Sequence, residues 1–388
     1  MTPVREKVHS FVRRARKSIS IHRKAATSPI YQEQPIWARL PTSILVKILA
    51  KCELSDIYRL MLSGRLLHQR IREHEPAIAQ AYLHNRRLQN RFIEDAQNEI
   101  STSPGDDLAF IADLFPPPPP QYTNNNSTDD QPDYSFGYMA DLTRCWRTCI
   151  RLSYFLAEYV VLQHLQTDPL AKPLWASSKT EKELVYSKGI DQLQSRLLSP
   201  MAYLIFFLET IASASSTLPS LETQKSILQQ PPFTSTHILL STHHCMHLLC
   251  STVRRMMAPE IPSSSTEHWL SLLLTTSTLE RILDFFTAAA ADQAAREGPT
   301  NHSHTTLPTW TNRMEFMWRM RSDWGEYLAS NAETGGASTP PGLNAIWFEA
   351  ARRELSRRGA IPHRCGDAVP ILHGSAVVLR CGLCNDDG

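Results

Sequence analysis

Apolar residues recur along this chain at helical spacing far more often than at strand spacing. Ile44, Leu45, Ile48, Leu49 and Cys52 stand at i, i+1, i+4, i+5 and i+8, one broad apolar face of a helix. Pro41 suits the first turn of that helix, where a missing N–H forfeits no bond. Ser55 is placed to cap a second helix with Ile57, Leu60 and Met61 inward, and Gly64 to close it in a left-handed conformation. Leu66, Leu67 and Ile71 then mark a third helix. A longer one is predicted over residues 77–99, with Ile78, Ala81, Tyr82, Leu88, Phe92 and Ile93 as its apolar stripe. From about residue 138 a long amphipathic helix runs through Met139, Leu142, Trp146, Cys149, Leu152, Leu156 and Val160. Comparable patterns recur at 179–213, 234–257, 266–296 and 308–331. Pro200 is expected to break the first of these in two. No repeat with a period of 20 to 50 residues is visible, which argues against propeller and solenoid receptors.

Between the two helical regions the pattern lapses. Pro116 to Pro120 and the polar run from Gln121 to Pro132 predict a linker, stiff at first and then flexible. A proline run also suits aromatic-lined grooves, with a plain spacer as the simpler reading. The expected organisation is a basic leader (1–34), a small helical unit with its following helix (35–100), a Pro/Asn-rich linker (101–137), a helical domain (138–335), and a C-terminal helix with a Cys-containing tail (340–388).

Composition narrows the functional classes. The 388 residues carry a net charge of +2, so neither nucleic acid nor an anionic membrane is implied as a partner. Glycines number 14 against 26 prolines, and no G-x-G-x-x-G or G-x-x-x-x-G-K-[ST] string occurs, which makes a nucleotide-binding α/β enzyme a poor fit. No G-x-S-x-G or H-E-x-x-H signature of a hydrolase is present either. The best apolar run, Met201 to Leu208, falls short of the roughly 20 residues a bilayer demands, so a soluble protein is expected. Eight scattered cysteines without a secretory signal in front imply reduced thiols and a nuclear or cytoplasmic location.

The segment from about residue 36 to about residue 75 resembles an F-box. Leu40, Pro41, Ile44, Leu45, Ile48, Leu49, Leu54, Asp56, Ile57, Leu60, Leu62 and Arg65 match that pattern in one gapless register, over about a tenth of the chain. Departures from it are Ser43 where an acid is usual, Cys52 where leucine is usual, Ser63-Gly64 where valine-cysteine is common, and Leu67 where an aromatic is common. The resemblance implies that this unit binds a Skp-type adaptor, and through it a cullin. The implied adaptor-binding residues are Leu40, Pro41, Ile44, Leu45, Ile48, Leu49, Ile57 and Leu60. So small a helical unit rarely buries enough apolar surface to stand alone, which fits a surplus face turned to another protein. The implied fold class is mainly α: a three-helix F-box, a linker, an irregular all-helical domain, and a small β/zinc-knuckle-like tail.

Other features carry weaker chemistry. Residues 1–24 hold eight Lys and Arg against Glu6 alone, with Val4, Val8, Phe11, Val12, Ala15 and Ile19 on one helical face. A nuclear import signal around Arg13 to Lys17, a mitochondrial presequence and a solvated basic tail all fit. His243, His247 and Cys250 share a helix at i, i+4 and i+7, but diverge too far along it for one ion and lack a following glutamate; a polar helix flank is the expectation. Trp310, Met314, Met317, Trp318, Trp324 and Leu328 follow helical spacing and read as core, with Arg313, Arg319 and Arg321 flanking a groove for a partner. Near the end, Cys381-Gly382-Leu383-Cys384, with His363 and Cys365 as an imperfect second pair, resembles a structural zinc knuckle; the alternative is free thiols. No catalytic group is assigned. The expected function is a non-catalytic substrate receptor that presents a target protein to a ubiquitin ligase, and the rival is a helical scaffold whose F-box-like segment packs internally.

Overall fold

The structure is a computed structural model that describes residues 36–96, 108–118, 134–167, 178–214, 221–257, 261, 263–277, 279–297, 311–332 and 342–360. The basic leader and the cysteine-bearing tail with His363, Cys365, Cys381 and Cys384 lie outside the described residues. Among those described, the architecture is helical and no strand occurs. The N-terminal unit comprises α1 (Ile36–Arg39), α2 (Thr42–Leu49), α3 (Leu54–Ser63) and α4 (Arg65–Glu73), followed by α5 (Glu75–Ala96) and α6 (Leu108–Leu114). The body consists of α7 (Phe136–Thr167), α8 (Lys179–Ala214), α9 (Leu221–Leu228), α10 (Thr236–Met257), α11 (Ser263–Ser277), α12 (Glu280–Glu297) and α13 (Thr311–Ala332). A π-helical turn (Asn344–Phe348) leads into α14 (Glu349–Arg357).

The spine of the body is the pair α7 and α8, which α10 and α12 flank. At Gly189 the two helices are in contact: a Cβ there would meet a methyl of Val161 at 3.4 Å, an ordinary van der Waals distance. Pro200 does not break α8, contrary to expectation. The lost hydrogen bond is outweighed by burial, since Leu197, Leu198, Met201 and Ala202 on either side are all in the core. By length and composition alone α8 is apolar enough to cross a bilayer. More than half of its apolar stretch is buried by neighbouring helices, as in a core helix.

The N-terminal unit is continuous with this core. α2 packs on α5, α1 on α4, and α3 on the start of α7, and Leu45, Leu49, Ile57, Leu67 and Ile71 join one apolar cluster with Ile78 and Leu83. Polar contacts fasten the junction: Glu75 Oε1 accepts the Phe136 N–H at 2.6 Å, and the Tyr58 hydroxyl donates to the Phe136 carbonyl at 3.5 Å. Three local expectations are corrected. Ser55 is not the cap of α3, which begins at Leu54 behind an extended Glu53 that makes no side-chain cap bond. Gly64 is extended (φ −174°, ψ 144°) and starts α4 directly, with no left-handed turn. Part of the expected 101–137 linker is α6, whose Leu108, Ile111 and Leu114 are buried.

Candidate partner-docking site

On α2 the broad apolar stripe is divided between two environments. Leu45 and Leu49 are fully buried, whereas Ile44 and Ile48, one position earlier in each turn, are 45% and 39% exposed. The cause is α5, which covers only the half of the arc that faces it. α3 repeats the division: Ile57 is buried, and Tyr58 and Leu62 are outside. Trp37 and Leu66 are exposed as well, so six of the eleven large exposed apolar side chains among the described residues belong to residues 36–73. Single exposed apolar residues are unremarkable; here they are concentrated in one unit.

Of the eight adaptor-binding residues that the resemblance implies, Pro41, Ile44 and Ile48 face solvent, and Leu40 and Leu60 are half-buried. Leu45, Leu49 and Ile57 are interior residues of the unit and reach no outer surface. Trp37, Tyr58 and Leu66 are outer residues that this set omitted, because helical spacing alone gives no sign of which flank of a stripe is covered. Arg70 holds the edge of the surface in place. Its guanidinium donates to the carbonyls of Trp37 and, at 2.7 Å, of Leu40, tying α1 and the turn before α2 to α4.

The other candidate cluster is interior. His243 is buried rather than on a polar flank, which corrects the expectation for that helix. Trp347 Nε1 donates to His243 Nδ1 at 3.2 Å, and His243 Nε2 lies 3.1 Å from His247 Nε2. An indole N–H only donates, so His243 keeps its own proton on Nε2 and directs it at a bare His247 Nε2. The arrangement therefore holds His243 neutral. Burial chiefly, with His247 and His244 beside it, pushes His243 well below its usual 6.5, and burial brings His244 to about 4. Trp347 itself is enclosed, its ring edge-on to Phe207 at 4.6 Å. Among the described residues no group of three or more His, Cys, Asp or Glu is placed to hold a metal ion. Cys149, Cys245 and Cys250 are buried free thiols, and burial raises all three, Cys250 to about 12, so they serve as core and not as nucleophiles.

On α13 the expected aromatic core is only partly so. Met317 and Met320 are buried, Trp318 is 62% exposed with Arg321 beside its ring, and Arg313 is buried and donates to the Met256 carbonyl. Asp292 accepts from the Asn312 and Arg313 N–H groups at 3.0 Å and so caps that helix.

No family model matches this chain, and neither a curated protein nor a solved structure does.

Proposed function

We propose that this chain is a non-catalytic, substrate-recruiting F-box subunit of a cullin-type ubiquitin ligase. Residues 36–73 dock a Skp-type adaptor through the outer face of α2, and the helical body holds a target protein. The adaptor brings the cullin, and catalysis follows from proximity within the assembly. The observation that carries the reading is the division of α2: with Leu45 and Leu49 fully buried, Ile44 and Ile48 remain outward as a second apolar surface that no described residue covers. A helix that served only this fold would put polar residues there.

A second reading is a helical scaffold, favoured by the continuity of the unit with the core through Tyr58, Glu75 and Phe136. One experiment separates them. The full chain and its Ile44→Asp/Ile48→Asp variant are expressed equally and the adaptor in each purification is measured. Adaptor with the wild type and less than a tenth of it with the variant is expected, since the new carboxylates would be buried in an apolar interface. Both positions are exposed, so the variant keeps its helical circular dichroism. No adaptor with the wild-type chain overturns the ligase reading and leaves the scaffold.

A further inference from the structure

The outward face of α2 is not purely apolar. Ile44, Lys47 and Ile48 stand at i, i+3 and i+4, so Lys47 borders the two exposed isoleucines on the side away from Leu45 and Leu49, and Lys51 follows in the turn just after the helix. Lys47 and Lys51 are exposed and form no ion pair among the described residues. The nearest acid on α3, Asp56, is already engaged by Arg59 at 3.2 Å. Arg65, at the start of α4, is likewise exposed and unpaired. Residues 36–73 contain seven Lys and Arg against three acids, so this unit carries a net positive charge.

Lys47, in the last turn of α2, complements the helix dipole, and neither lysine has an ion-pair partner among the described residues. Their consequence appears on binding. A partner that covers Ile44 and Ile48 must border Lys47 and Lys51, and an ammonium stripped of water without an acceptor costs several kcal/mol. A partner whose bordering surface carries acceptors avoids that cost. We infer that the surface fits a protein whose apolar pockets for Ile44 and Ile48 are rimmed by carboxylates that meet Lys47 and Lys51. This rests on the adaptor reading above and adds the chemistry of the partner's face. Charges on such a rim act mainly on encounter, raising the association rate at low salt.

The test measures association of the full chain with the purified Skp-type adaptor at 50 and 300 mM salt, for wild type, Lys47→Glu/Lys51→Glu, and Lys47→Arg/Lys51→Arg. Expected is a wild-type association rate that falls roughly tenfold with salt, a charge-reversed variant roughly tenfold slower at low salt, and an arginine variant that behaves as wild type. Equal rates and equal salt dependence for wild type and the Glu variant, with Ile44→Asp/Ile48→Asp still abolishing binding, overturn the carboxylate rim and leave the adaptor reading intact. A wild-type chain that ignores the adaptor at both salts overturns both. A parallel arm uses phosphatidylserine/phosphatidylcholine vesicles; capture by them that Lys47→Glu/Lys51→Glu removes assigns the strip to an anionic membrane and also overturns the inference.

Discussion

Trp347→Phe should change both the stability of the protein and its response to acid. In the native chain His243 and His244 are held neutral below their ordinary 6.5. Because the folded state resists protons that the unfolded chain accepts, this stability is fully present above pH 6.5 and declines as pH falls below it. At pH 5.5 each neutral histidine costs about 1.4 kcal/mol, so the two together remove about 3 kcal/mol relative to pH 7.5. Glu354, held down to about 2 chiefly by the Arg357 hydrogen bonds, stays ionised across that window and adds no slope. The substitution deletes the indole donor and leaves His243 Nδ1 as a buried acceptor without its partner, a loss of about 1–3 kcal/mol, with a further ~1 kcal/mol for the smaller ring. It also opens Nδ1 to a proton, so the additional loss on going to pH 5.5 should shrink by about 1 kcal/mol. Urea unfolding at the two pH values measures both terms, and amide exchange in residues 344–357 reports whether the π-turn and α14 loosen first. Identical acid-induced losses in the two proteins would refute the closed donor chain from Trp347 through His243 to His247. A wild type equally stable at both pH values would refute the neutral pair.

Two further outcomes follow from the N-terminal unit. Arg70→Ala should lower stability by roughly 1–2 kcal/mol by freeing the Trp37 and Leu40 carbonyls, and should weaken the adaptor binding we propose without altering Ile44 or Ile48; unchanged affinity in a folded variant would remove Arg70 as a positioning residue. Gly64→Ala should be neutral or stabilising by about 0.5 kcal/mol, because its backbone is extended and a Cβ there meets nothing within 4 Å; a urea midpoint showing a loss above ~1 kcal/mol would mean a left-handed Gly64 after all.

What the sequence determined by itself is the helical character and the approximate position of most long helices, although the pattern at 266–296 is two helices, Ser263–Ser277 and Glu280–Glu297. The stripe through Met139, Leu142, Trp146 and Leu152 can bury its apolar residues only as a helix, so α7 was legible within two residues at its start. The candidate site was legible as a set of positions and not as a surface. Ile44 and Leu45 are adjacent, equally apolar, and part of an arc wider than any one neighbour covers. Only the docking of α5 decides that Leu45 turns inward and Ile44 outward. Tertiary contacts likewise overrode local signals wherever burial outweighed propensity. Pro200 stays within α8 because its flanks are core, Leu108–Leu114 folds inside an apparent linker because five of its seven side chains are buried, and His243 is interior because Trp347, 104 residues further on, supplies the donor its ring nitrogen needs. Each of these turns on residues far apart in the chain, and a periodicity read within one segment carries no information about what will pack against it.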